Sequence, residues 1–165
     1  MPFTPFHLGP SLLIGLIFFP LIYLPAILFG SVIVDLEPLS FLLLGLPVRH
    51  LFFHTFLGAT ISALILAFFV YLLRGFLGEI MTVFQLPQIA SPLNITFSAL
   101  VGAYSHILLD AFLYPEMQPF WPLLGNPFLG LVSSSTVYLF CIFCFVVAIP
   151  VYIFQIWRIK RQAKK

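Results

Sequence analysis

Charge is what this sequence has least of. Asp, Glu, Lys and Arg together make up 7% of its 165 residues, where a soluble domain carries about 25%. So small a charged fraction excludes a water-facing surface over most of the chain, and a chain this short has too little interior to hide the remainder. Cysteine is scarce as well. Cys141 and Cys144 both lie inside an apolar run, which excludes a disulfide framework and leaves the redox compartment open. Basic residues are missing ahead of the first apolar stretch: Met-Pro-Phe-Thr-Pro-Phe-His, residues 1–7, holds neither Lys nor Arg. The basic start of a signal peptide is therefore lacking, and this segment is expected to be retained. The net charge of +2 carries no sign of nucleic acid, because its excess sits in the tail after Trp157, and no nucleic-acid partner is expected. No internal repeat or low-complexity tract is evident.

What is present is apolar length. Hydrophobic residues make up 62% of the chain and mean hydropathy is +1.16, so lipid is the natural solvent. The expectation is one integral membrane domain over residues 1–165, an all-α polytopic bundle with three full spans and an N-terminal helical hairpin. The first full span is Leu51–Leu73, which would reach about 34 Å as a helix and is closed by Arg74 and Gly75. The second is Ile95–Phe112 and the third Ser133–Trp157, where Trp157 and the basic residues 158–165 form an interfacial anchor. Leu8–Val34 would make about 40 Å as one helix, long for a bilayer, and Pro20 and Pro25 interrupt it. Two short helices, Gly9–Phe19 and Pro25–Asp35, are expected instead, with a single kinked helix as the alternative. Residues 75–94 and 114–132 read as loops.

Basic residues orient the bundle. Five of the seven Lys and Arg lie in the C-terminal tail, which the positive-inside rule puts in the cytoplasm of a multi-pass cell-membrane protein. Counting spans back places residues 114–132 and Arg49 outside and Arg74 inside.

The ionisable residues are few enough to consider singly: four His and five Asp or Glu. Such residues in membrane spans are costly and mark function. His50 and His54 stand four apart at the start of one expected span, and His106 and Asp110 stand four apart near the end of the next. On helices each pair shares a face. Antiparallel spans bring both pairs to one side of the membrane, and the hairpin adds His7 and Asp35 there. Imidazole and carboxylate suit zinc and related divalent ions. Six such groups exceed one tetrahedral shell, which points to two metals or to carboxylates that orient the histidines. Glu37, followed by Pro38, is expected to leave the helix and act as a further ligand or as the base on a bound water. Arg49 is expected to meet an anionic substrate or a lipid headgroup. Singly, each His reads as interfacial, Asp35 as a cap and Asp110 as a structural partner; together they point to a metal. Cys141-Ile-Phe-Cys144 lacks a third ligand, the Asn94-Ile-Thr96 sequon falls inside, and Glu79 and Glu116 read as loop residues.

The ordered set His7, Asp35-Leu-Glu37-Pro38, Arg49-His50-Leu-Phe-Phe-His54-Thr55 and Ser105-His106-Ile-Leu-Leu-Asp110 resembles the YdjM-like membrane-bound metal-dependent hydrolases over roughly residues 5–127. The opening Pro-Phe-Thr-Pro-Phe-His and the stretch His54-Thr-Phe-Leu-Gly-Ala59 look like archaeal members of that family. The family pattern often has Asp-x-Asp and His-Arg-Gly-x-Thr-His, where this chain has Glu37 and a shorter gap between its histidines. The ligand order is also similar to part of that in zinc-dependent phospholipase C, without that enzyme's remaining His and Glu. The resemblance implies a hydrolase with one or two divalent ions, zinc first, acting on a lipid-borne ester such as a phosphoester. Glu37 and Arg49 would be its catalytic residues, and the site would open on the extracytoplasmic side. A metal or proton carrier is the rival reading, and a structural membrane protein a third. Oligomeric state is not set by the sequence.

Overall fold

The structure is a computed structural model that describes residues 4–163. A 3-10 turn (Thr4–His7) leads into seven helices: α1 (Leu8–Ile17), α2 (Leu24–Ile33), α3 (Leu36–Leu43), α4 (Phe56–Leu72), α5 (Arg74–Val83), α6 (Pro92–Ala111) and α7 (Ser134–Gln162). No strand occurs among the described residues. The helix starts follow local chemistry. Thr55, Ser91 and Ser133 each accept the N–H three residues on and cap α4, α6 and α7. Pro25 and Pro92 stand in the first turns of α2 and α6, where the missing N–H costs nothing.

Several boundaries differ from expectation. The apolar stretch 8–34 does divide at residues 18–23, but α4 begins at Phe56, not at Leu51, because Thr55 caps it there. His50 and His54 therefore lie in an irregular segment and share no helix face. Glu37 and Pro38 do not leave the helix. They fall in the first turn of α3, which follows α2 after a 45° bend. The expected loop 75–94 contains α5, set at 77° to α4. By length and composition α6 and α7 each qualify as a membrane span, and the bent pairs α2–α3 and α4–α5 raise the count to as many as four.

Packing is inside-out relative to a soluble bundle. On α4 the buried stripe is Ala59, Ala63 and Ala67, while Leu64, Ile65, Phe68 and Phe69 face outward. Small residues inside and large apolar residues outside suit helices that pack backbone to backbone within lipid. The tightest seam joins α2 to α6. A Cβ on Gly30 would stand 2.4 Å from the Ala99 carbonyl, and one on Gly102 2.2 Å from that of Ile27. Tyr23 N–H donates to Ser98 Oγ at the start of this seam, and His106 meets Ser31 at its end.

Contacts along the helices fix which ends coincide. Phe6 meets Tyr138 at the start of α7, whereas Phe19, just past α1, accepts from Arg158 near the end of α7. The start of α1, the end of α2, the start of α4 and the end of α6 thus lie at one end of the bundle with the start of α7. Arg74, Arg158 and the end of α7 lie at the other.

Candidate metal centre

Three places in the chain deliver the ionisable side chains to one end. Asp35 sits at the bend between α2 and α3, His54 just ahead of α4, and His106 and Asp110 in the last turns of α6. One ligand atom from each of these four residues lies within 4.8 Å of all the others. His106 Nε2 is 3.4 Å from Asp35 Oδ1 and 3.1 Å from Asp110 Oδ2. His54 Nε2 is 3.6 Å from Asp35 Oδ1 and 3.9 Å from Asp110 Oδ2. Ligands held at 2.0–2.2 Å around a tetrahedral ion stand about 3.3–3.6 Å apart, and these four edges, from 3.1 to 3.9 Å, bracket that size.

The tautomers sharpen that reading. His106 Nδ1 is 2.7 Å from the Ser31 carbonyl, which can only accept, so Nδ1 carries a proton and Nε2 is the atom turned to the carboxylates, 3.1 Å from Asp110 Oδ2. His54 Nδ1 is 3.2 Å from Glu37 Oε2 and donates to it in the same way. Each ring thus turns Nε2 to the two carboxylates, either as a second N–H that donates to them or as a lone pair that binds a cation. Neutral rings there set acceptor against acceptor in a buried site, which is costly, and a cation among the four atoms removes that conflict. His54 Nε2 and Asp110 Oδ1 are buried without a hydrogen-bond partner, as are both ring nitrogens of His7. The residues fit a divalent ion held by two histidines and two aspartates, with orientation from Glu37 and Ser31.

Sequence seats these groups through glycines. Gly102 lets α6 close on α2, bringing Ser31 to His106. Gly58 admits the Phe52 carbonyl at a place where a Cβ would stand 1.9 Å away, so the chain carrying His54 folds back on α4. Glu37 pins that chain, accepting from Leu51 N–H at 2.7 Å and Phe53 N–H at 3.2 Å.

The remaining expected residues are distributed around this group. His7 stacks on His106 with ring centroids 3.9 Å apart, and its Nε2 is 3.2 Å from Asp110 Oδ1. His50 is not in the four-residue group. Its Nδ1–H donates to Glu116 Oε1 at 3.0 Å, its ring stacks on Tyr114, and its edge meets the His54 ring at 4.6 Å. Burial, then the neighbouring His54, lowers the His50 pKa. Burial pushes Glu116 up, but its hydrogen bond from His50 prevails and holds it below the usual carboxylate range. Arg49 is exposed and takes no place in the cluster. Glu116 and the Ser31 carbonyl were not anticipated. Ser31 has no signature in sequence, but Glu116 follows Asp110 closely past the end of α6, on the side the span count assigns to the site.

No curated protein and no solved structure matches the chain. Residues 5–164 match the model of the YdjM inner membrane protein family, and the chain belongs to that family.

Proposed function

We propose that this protein is a membrane-embedded, metal-dependent hydrolase of a lipid-borne ester, with a phosphoester the leading choice and zinc the leading metal. One observation carries the reading: the Nε2 atoms of His54 and His106 converge with Asp35 and Asp110 while their Nδ1 atoms are already hydrogen-bonded. Those four residues would hold the ion. When bound, it would polarise a phosphoryl oxygen and bring its water to a pKa of about 7. Glu37 already accepts from Leu51, Phe53 and His54, which supports a positioning role for it and not that of a base. His50, oriented by Glu116, is the imidazole beside the group best supplied with a fixed tautomer.

In the bilayer, α4, α6 and α7 are the crossing helices, with α1 and α2 folded among them as a hairpin. The tail beyond Trp157 lies in the cytoplasm and the metal end faces the outside. A carrier of metal ions or protons would need carboxylates or imidazoles reaching both ends. Here the carboxylates other than Glu79 gather at one end, which supports the enzyme.

Turnover tests the reading. Protein in nanodiscs should release product from a phospholipid mixture, stop with chelator, recover with zinc and fail in His106→Ala. Equal hydrolysis by His106→Ala would remove the proposal. Orientation has its own test on whole cells, in a background lacking Cys141 and Cys144. An impermeant thiol reagent should label Pro47→Cys and spare Ala163→Cys, and the reverse would put the site inside.

A further inference from the structure

Beside the metal group opens a cleft of about 350 Å³, walled by His50, Phe52, Thr55, Glu116, Gln118 and Trp121. Neither Lys nor Arg lines it, and its one carboxylate is Glu116, whose side chain is 40% exposed. Phe52 and Trp121 meet edge to face at 5.8 Å and both are partly exposed. A carboxylate beside exposed aromatic rings attracts an ammonium, through charge and through the ring faces. A bare phosphate meets only like charge there.

The charge around the metal group points the same way. Of the five carboxylates, Asp35, Glu37, Asp110 and Glu116 stand at this end, and the fifth, Glu79, is in α5. One divalent ion and the exposed Arg49 beside His50 still leave this end negative, which disfavours a purely anionic headgroup. The cleft adjoins the metal group through His50, whose ring contacts that of His54. A headgroup that carries an amine a few bonds from its phosphoryl would set the one in the cleft and direct the other at the metal group.

We propose that this cleft is a headgroup subsite for an amine-bearing, zwitterionic phospholipid, with the ammonium between the Glu116 carboxylate and the Trp121 ring. Its role as a substrate subsite rests on the hydrolase reading, but binding is measurable without turnover. In Trp157→Phe, Trp121 is the remaining tryptophan and reports occupancy of the cleft. Titrate this full-length variant in a neutral detergent with phosphoethanolamine and with glycerol 3-phosphate, which shares the phosphate and lacks the amine. Phosphoethanolamine should change Trp121 emission saturably and bind about tenfold more tightly than glycerol 3-phosphate. Adding Glu116→Gln should erase that preference while bound metal stays unchanged. Equal affinity for the two probes, or an undiminished preference in Glu116→Gln, would overturn the subsite. Metal content of the same samples separates the two claims. Amine preference in protein without metal supports the subsite and removes the hydrolase reading, whereas metal without amine preference removes the subsite alone.

Discussion

The two ends of this bundle both bury polar side chains, and they do opposite things with them. At the tail end, Gln88 brackets the break between α1 and α2, its Oε1 accepting from Leu24 N–H and its Nε2 donating to the Ile22 carbonyl. Gln155 donates to the Leu16 carbonyl and Arg158 to that of Phe19. Each serves a backbone group freed where α1 stops, and in lipid such groups must find partners within the protein. At the metal end the Nδ1 donors of His54 and His106 are also used, on Glu37 and Ser31, yet their Nε2 atoms and two aspartates remain turned toward one another. Buried polarity that satisfies backbone is structural. Buried acceptors that converge on one point call for a cation.

Substitutions at the two ends should separate along that line. The largest effect belongs to His106→Ala, which should abolish stoichiometric metal binding while circular dichroism still reports a helical bundle. Retained metal would break the comparison outright. Glu37→Gln should weaken metal binding by about 10–100-fold, the usual cost of losing an orienting partner. A competition titration against a chromophoric chelator reads it, and unchanged affinity would reduce Glu37 to a loop tether. The smallest change in metal belongs to Gln88→Leu, where none is expected. Its effect should be a stability loss of about 1–3 kcal/mol in detergent unfolding, from stranding the Leu24 and Ile22 backbone groups. Metal loss there would mean that the two ends are coupled.

Much of this layout is legible in the sequence because lipid leaves few options. The scarcity of charge marks a membrane protein, Pro20 and Pro25 mark the break in the first apolar stretch, and the order of His and Asp marks one end of the bundle. What hydropathy does not carry is where an apolar run stops being helical. Leu51-Phe-Phe-His54 is as apolar as the helix that follows, so it reads as helix. Thr55 capping and Gly58 crowding turn it into a folded-back segment instead. Pro38 misleads in the opposite direction, because a proline in the first turn starts α3 as readily as one elsewhere ends a helix. Glu116 does lie in a turn past α6, as it reads, but its bond to His50 is not legible because the two are far apart in sequence.

The central claim is that two imidazoles and two carboxylates share one cation. X-ray absorption at the zinc edge of the zinc-loaded protein tests it most directly. The predicted spectrum shows imidazole scattering from two rings and nitrogen or oxygen ligands at about 2.0–2.2 Å. A sulfur shell at about 2.3 Å, which only Cys141 and Cys144 or a methionine would supply, or a shell without imidazole, would contradict it.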